Sequence, residues 1–97
     1  PDALPRLRAL ASDPSPRVRL EAVVALSFFE QNDAVGAALA VRNHPTDAYL
    51  DYALRETLVA LKPVWLGQLR RDKAPYEAAV TRELLALAST AELLGLP

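Results

Sequence analysis

Apolar side chains recur along the chain at the spacing of helix faces. Two sets of positions follow the offsets i, i+4, i+7, i+8 and i+11, which place side chains on one side of a helix. The first set is Val18, Ala22, Ala25, Leu26 and Phe29. The second set, which includes one threonine, is Leu50, Leu54, Thr57, Leu58 and Leu61. No segment alternates apolar and polar residues as a strand does, and no Asn-Gly or Asp-Gly hairpin turn occurs, so the sequence predicts an all-α chain.

Proline and small polar residues predict where the first four helices begin. A first helix is expected over about residues 3–11. Ser15 is the expected N-cap of the second helix and Pro16 its first residue, because proline fits the first turn but not the interior. A third helix is expected over about 33–42, and Thr46 is the predicted N-cap of the fourth.

The helical pattern continues to the end of the sequence. Beyond Pro63 the apolar spacing resumes, and a further helical segment is expected over about 76–88. Ser89 and Glu92 have the spacing of a capping box, which would open a last short helix ending at Gly95. The sequence therefore predicts six or seven helices.

One combination of helix, proline-containing turn and helix occurs twice. Val18 of the first copy matches Leu50 of the second, and the turn at 13–14 matches the turn at 44–45, so the second turn holds one extra residue. Hairpins that recur with such a period are typical of helical solenoids, in which one hairpin cannot bury its apolar face without a neighbour. We expect one domain over 1–97.

Within this domain the expected repeat units are about 3–29, 33–61 and a divergent 62–96. The apolar stripes also predict which side chains form the core. These are Leu7, Leu10, Val18, Ala22, Leu26, Leu50, Leu54, Leu58 and Leu61.

The stretch DPSPRVRLEA, residues 13–22, resembles the second-helix signature of a HEAT repeat. The resemblance implies an armadillo-like α-α superhelix, with hairpins stacked into a short right-handed solenoid. It also assigns Asp13 and Arg19 to ladder positions, where an acid of one repeat meets a base of the next. The second unit departs from the signature, with His44 in the place of the acid and Asp51 in the place of the base. The one expected rung pairs Arg19 with Asp51.

A narrower resemblance covers roughly residues 13–96. The segments RVRLEAVVALSFF, HPTDAYLDYALRETLVALKPVW and STAELLGLP are similar to the HEAT region of large dehydrogenase-like proteins from planctomycetes and related bacteria. Such proteins typically carry a β-propeller before this region and a c-type cytochrome domain after it. The resemblance implies a periplasmic or secreted redox protein in which this chain is an accessory docking domain.

Composition and charge exclude several classes of site. The chain has no cysteine, which excludes disulfides, thiolate metal sites and covalent haem attachment. Eleven basic residues against twelve acidic ones give a net charge of −1, without the basic stripe expected of a nucleic-acid binder. No apolar run approaches the roughly 20 residues of a membrane span. The chain begins with proline and not methionine, so we expect it to be part of a longer protein.

The sequence gives little support for a catalytic or metal-binding site. His44 is the single histidine, and it precedes Pro45 as turn residues do. Asp47 and Asp51 lie one turn apart, but Arg55 at i+4 favours an ordinary Asp51–Arg55 ion pair. We predict no catalytic, cofactor-binding or metal-ligating residue in this chain, and therefore no enzyme.

One aromatic face is a candidate site for a partner. Tyr49, Tyr52 and Glu56 share a helix face distinct from the leucine stripe. The HEAT resemblance implies that this helix lines a concave surface where partners bind, and tyrosine suits an interface. The alternative is that the two tyrosines pack around Trp65. The predicted function is a non-catalytic scaffold for contacts with other proteins or neighbouring domains, without nucleic acid, cofactor or membrane insertion.

Overall fold

Helices account for every regular element in the computed structural model, which describes residues 3–71, 76–89 and 92. Six α-helices and one 3₁₀ segment follow one another along the described chain, and the all-α prediction is confirmed. They are α1 (Ala3–Ala11), α2 (Pro16–Leu26), α3 (Asn32–Leu39), the 3₁₀ segment (Ala40–Asn43), α4 (Ala48–Ala60), α5 (Lys62–Arg71) and α6 (Ala78–Leu85).

The start of α2 follows the prediction. Pro16 is its first residue, and the hydroxyl oxygen of Ser15 accepts a hydrogen bond from the Val18 amide at 3.4 Å. The predicted third helix is divided, because its last turn tightens into the 3₁₀ segment Ala40–Asn43 before the chain turns.

The predicted N-cap of α4 is wrong by one residue. Asp47 is the cap, and its carboxylate accepts a hydrogen bond from the Leu50 amide at 2.8 Å. Thr46 lies one residue too early to reach that amide, and its hydroxyl instead donates to Asp51 Oδ1 at 2.6 Å. A carboxylate at this position also lies favourably near the positive end of the helix dipole.

The predicted capping box is confirmed. Glu92 Oε1 accepts a hydrogen bond from the Ser89 amide at 2.7 Å, and Ser89 Oγ accepts one from the Glu92 amide at 3.2 Å. The helix that this box would open, including Gly95, lies outside the described residues.

Equivalent helices of the first two hairpins stack on each other. The first hairpin, α1 with α2, packs against the second hairpin, α3 with α4, so that α1 contacts α3 and α2 contacts α4. Helix α5 follows and packs on both α3 and α4. The second hairpin is therefore covered on two sides, whereas in the described chain the first has a neighbour on one side only.

The core lies between these layers and largely follows the predicted stripes. The predicted core residues that are fully buried are Ala22, Leu26, Leu50, Leu54, Leu58 and Leu61. Leu7 and Val18 are only partly buried. The prediction for Leu10 is wrong, since 44% of this residue is exposed. It lies in the first hairpin, which has one neighbour among the described elements.

Two buried polar groups tie the helices together. Trp65 is fully buried, and its indole nitrogen donates to the Leu58 carbonyl at 2.7 Å, which joins α5 to α4. The Thr57 hydroxyl donates to the Val23 carbonyl at 2.9 Å, which joins α4 to α2. Both groups are satisfied, as buried donors generally must be.

Candidate functional site

Exposed apolar side chains concentrate on one surface of the described structure. Of six large apolar side chains that are exposed, five lie on α2, on α4 or in the turn that ends α2. These five, which we call the α2–α4 face, are Val24, Phe28, Tyr49, Tyr52 and Val59. The sixth is Leu10. Helical spacing produces the cluster, because i, i+3, i+4, i+7 and i+10 positions lie on one side of a helix.

The two tyrosines of this face point to solvent. Tyr49 is 80% exposed and Tyr52 is 61% exposed, and Glu56 on the same side of α4 is exposed as well. The alternative that both tyrosines pack around Trp65 is therefore wrong, because the indole is enclosed by core side chains instead. Phe28, in the turn that ends α2, is 81% exposed.

A shallow groove of about 610 Å³ separates α2 from α4 beside Tyr49. Its floor and walls are formed by residues from the first turns of both helices. They are Ser15, Pro16, Arg17, Leu20, Glu21, Asp47, Tyr49 and Leu50. The groove adds a concave strip with apolar and charged edges to the α2–α4 face.

The exposed charges on these two helices are predominantly acidic. Four acids, Glu21, Asp47, Asp51 and Glu56, stand against the two exposed bases Arg17 and Arg55. The Arg17 Nε lies 4.0 Å from a carboxylate oxygen of Glu21, and both side chains are largely exposed. The surface therefore carries an excess of two negative charges.

The expected Asp51–Arg55 ion pair is not formed. Asp51 instead accepts the hydrogen bond from the Thr46 hydroxyl. Within the described ranges no lysine, arginine or histidine nitrogen lies within 4 Å of the Asp51 carboxylate.

Arg19 is buried, with 1% of the residue exposed, and it joins the first hairpin to the second. Its Nη1 donates to the carbonyls of Val41 at 2.7 Å and His44 at 3.1 Å, and its Nη2 donates to the Pro45 carbonyl at 2.9 Å. These carbonyls lie in the short 3₁₀ segment and in the turn after it, at the end of the helical stretch, where carbonyl groups lack helical partners. The guanidinium fork suits several such acceptors at once.

The predicted Arg19–Asp51 pair is consequently wrong. The guanidinium is directed at turn carbonyls, whereas the Asp51 carboxylate is exposed on the first turn of α4. Asp13, the other predicted ladder residue, accepts a hydrogen bond from the Ser15 amide at 2.8 Å and so closes its own turn. His44 contributes a carbonyl from the turn position that the sequence predicted.

A second contact between elements was missed by sequence reasoning. Arg42 donates two hydrogen bonds to the Glu83 carboxylate, one of them from Nη1 to Oε1 at 2.6 Å. The hydrogen bond from Arg42 lowers the pKa of Glu83, and the bond to Glu83 raises the pKa of Arg42. The two residues lie far apart in the sequence, so no local spacing indicates the pair.

Within the described ranges, no three His, Asp or Glu side chains come together as a set that could hold a metal ion. Among the helices described, none is both long enough and apolar enough to cross a bilayer.

The stacked hairpins define a helical-repeat protein. The sequence model for HEAT repeats matches residues 1–59, which span the first two hairpins, and the chain belongs to the HEAT-repeat family. HEAT repeats commonly serve as scaffolds for protein contacts, and the family is generally non-catalytic. Comparison with curated proteins and with solved structures found no match. The narrower resemblance to planctomycete dehydrogenase-like proteins is not shown by these comparisons.

Proposed function

We propose that this chain is a non-catalytic scaffold that binds another protein, or a neighbouring domain, through the α2–α4 face. The observation that carries the proposal is that five of the six large apolar side chains exposed in the described ranges lie on α2, α4 and the adjoining turn. Exposed apolar side chains that cluster, unlike ones scattered singly, generally mark an interaction site.

The chemistry of the face defines the partner that would fit it. Tyr49 and Tyr52 supply rigid contact area and a polar hydroxyl, which is the composition of interface hot spots. The acidic excess on α2 and α4 favours a partner segment that combines apolar with basic side chains. An arginine of such a partner could stack on either tyrosine ring, close to the carboxylate of Glu56.

Photo-crosslinking followed by affinity measurement tests this proposal. A photoreactive residue at position 49 or 52 should capture one partner from cells, whereas the same group at exposed position 70 of α5 should not. The purified partner should then bind the Tyr49→Ala and Tyr52→Ala variants about 30-fold more weakly, the effect of losing a hot spot worth about 2 kcal/mol. The control variant Arg70→Ala should bind within twofold of the unmodified chain. Equal crosslinking from position 70, or unchanged affinity of both tyrosine variants, would contradict the proposal.

A second candidate is the docking of a c-type cytochrome against a dehydrogenase, and it is supported by the similarity of segments within residues 13–96 alone. Calorimetric titration of the chain with a c-type cytochrome tests it. Saturable binding of the cytochrome that is weakened by Tyr49→Ala would support this docking role. A titration without heat of binding would rule the role out. A Cys-x-x-Cys-His motif elsewhere in the same gene product would independently favour it.

A further inference from the structure

Helix α6 is packed less extensively than the helix before it. Leu84 is the one buried residue of α6, whereas α5 buries Trp65, Leu66 and Leu69. The free energy of docking a helix grows with the apolar area that it removes from water, so α6 gains less from packing than α5 does. Elements with few buried apolar contacts are the ones that open locally at low cost.

Two polar contacts between side chains attach α6 to the second hairpin. The Tyr76 hydroxyl, just before α6, donates to Asn32 Oδ1 at 2.7 Å, and Arg42 donates two hydrogen bonds to the Glu83 carboxylate. The partners follow each other in chain order, so α6 lies alongside α3 and the 3₁₀ segment and runs in the same direction. Both contacts are exposed, and exposed polar contacts contribute little to stability.

Open grooves lie on both flanks of α6. A groove of about 420 Å³ separates its first half from α1 and α3. Another, of about 530 Å³, separates its last turn and the turn after it from α4. Closely packed helices leave few voids larger than a water molecule, so α6 does not fill the space in which it lies.

The surface of the second hairpin opposite α6, which we call the α6 channel, combines apolar residues with the guanidinium of Arg42. Asp51 and Arg55 also line the larger groove, but their opposite charges offset each other. Arg42 is therefore the charged group that selects an occupant. The apolar residues of the α6 channel are Gly36, Leu39, Ala40, Ala48 and Leu58.

The sequence of α6 shows what kind of helix the α6 channel accepts. Val80, Leu84 and Leu87 follow the i, i+4, i+7 spacing of one helix face and pack against the core. Helices that bind in grooves present apolar anchors at this spacing. Glu83 lies beside these anchors and receives both hydrogen bonds from Arg42, and such a paired contact fixes orientation as well as adding affinity.

We propose that α6 is an exchangeable occupant of the α6 channel, and that the channel binds an amphipathic helix of another protein once α6 has left it. The partner helix has the apolar spacing of α6 and an acidic residue at the position of Glu83. Helix α6 lowers the affinity of the channel for this partner, because the channel is open in only a fraction of the molecules. The proposal does not rest on the α2–α4 face, since its anchor, Arg42, lies in the 3₁₀ segment.

A second copy of this chain is a poor partner. Its α6 would form in the channel of its neighbour the same contacts that it already forms in its own. The exchange gains no contact, whereas association costs translational and rotational freedom. The partner is therefore a different protein.

A labelled peptide in place of the partner helix tests the proposal with the full chain. The peptide has the sequence of residues 76–92, and fluorescence anisotropy measures its binding. Leu84→Asp in the chain places a charge at a buried position and so prevents α6 from docking. A minor open state is typically populated at about 0.1–10%, so this variant should bind the peptide about 10- to 1,000-fold more tightly than the unmodified chain. Glu83→Arg, which acts at the surface and places two cations together, should give a smaller gain of the same sign.

Charge reversal at Arg42 tests the anchor. Arg42→Glu in the chain also opens the channel, but it reverses the charge that the occupant meets. This variant should therefore bind a peptide carrying Glu83→Arg about tenfold more tightly than the peptide of natural sequence. As a control, Arg82→Glu at an exposed position of α6 should leave the affinity of the chain for the natural peptide close to that of the unmodified chain.

The possible outcomes are distinct. Circular dichroism shows whether each variant keeps its helices, and Glu83→Arg still tests the proposal if Leu84→Asp unfolds the chain. Affinities that do not rise in the folded variants, or equal binding of the two peptides to the Arg42→Glu chain, would overturn the proposal. Concentration-dependent dimers of the unmodified chain that Arg42→Glu dissociates would overturn the choice of partner.

Discussion

The first and second hairpins share one sequence pattern, yet they use equivalent positions differently. Arg19 of α2 and Asp51 of α4 lie at matching points of that pattern. Arg19 is buried and bonded to the next turn, whereas Asp51 is exposed and accepts a hydrogen bond from Thr46. In the part of the chain that the structure describes, the second hairpin lies between two neighbours and the first has one. The place of a hairpin in the stack therefore sets the burial of its side chains as much as residue type does.

Side-chain length explains the different fates of the two residues. Arginine can span from α2 to the turn beyond α3 while keeping its guanidinium at hydrogen-bonding distance from three carbonyls. Aspartate has one methylene group and reaches only groups of its own helix start. An ion pair between them would require the guanidinium to leave the carbonyls to which it already donates.

The largest expected effect is the difference in stability loss when leucine is replaced by alanine at a buried position and at a partly exposed position. Leu54→Ala in the second hairpin should cost about 2–5 kcal/mol of unfolding free energy, because Leu54 is almost fully buried and its loss leaves a cavity. Leu10→Ala in the first hairpin should cost well under half of that, since much of Leu10 is already in contact with water. Urea denaturation of both variants measures the difference, and equal losses would show that the two hairpins are covered alike.

The next effect concerns the two equivalent charged positions. Arg19→Ala should cost about 1.5–3 kcal/mol, the range for hydrogen bonds to a charged group, whereas Asp51→Ala should cost less than about 0.5 kcal/mol. Arg19→Lys should not restore the loss, because an ammonium group lacks the planar fork that reaches several carbonyls. A double-mutant cycle on Arg19→Ala and Asp51→Ala should give a coupling energy near zero. A coupling energy above about 0.5 kcal/mol would show that Arg19 and Asp51 interact, as the sequence predicted.

A smaller effect distinguishes the two candidate caps of α4. Asp47→Ala should cost about 1 kcal/mol, the usual value for loss of an N-cap, because the Leu50 amide then loses its side-chain acceptor. Thr46→Ala should cost less than half as much, since it removes only an exposed hydrogen bond to Asp51. Thermal unfolding of both variants is the measurement. A larger loss of stability for Thr46→Ala than for Asp47→Ala would show that Thr46 is the N-cap, as the sequence predicted.

The smallest effect is the pH-dependent contribution of the Arg42–Glu83 pair, which links the second hairpin to α6. The pKa of Glu83 is lower in the folded chain than in the unfolded chain, where a glutamate has a pKa of about 4.3. The stabilisation that the pair gives to the fold is therefore fully present above the unfolded-state pKa. It is lost as pH falls through the folded-state pKa. Both side chains are more than a third exposed, so the contribution at pH 7 should be at most about 1 kcal/mol. Glu83→Gln should therefore reduce stability slightly at pH 7 and have no effect at pH 2. A loss that persisted at pH 2 would show that Glu83 acts through packing and not through its charge.

Local features of the sequence predicted the elements well. The helical period gave an all-α chain, Ser15 and Pro16 marked the start of α2, and Ser89 with Glu92 formed the capping box. These features depend on residues within one or two turns of one another, and such interactions are fixed by spacing. The prediction failed by one residue at Thr46, because Thr46 and Asp47 both have side chains that suit an N-cap and local spacing does not decide between them.

The candidate face was only half determined by the sequence. Spacing alone placed Tyr49, Tyr52 and Glu56 on one side of a helix, but it did not decide whether the tyrosines would be buried around Trp65 or exposed. The structure decided that, because α5 brings Trp65 into the core through a hydrogen bond to Leu58 and leaves the tyrosines in solvent. Val24 and Phe28 joined the face only once α2 and α4 were stacked.

The sequence by itself determined the helical fold, the repeat and the positions of the apolar stripes, since these follow from periodicity and from side chains close in the chain. The tertiary structure alone decided which parts of those stripes are covered, because burial depends on neighbours that lie a whole repeat or more away in the sequence. It also decided that Arg19 bonds to carbonyls and not to a carboxylate. A guanidinium satisfies whichever acceptors the folded chain brings within reach, and the sequence does not show which acceptors those are.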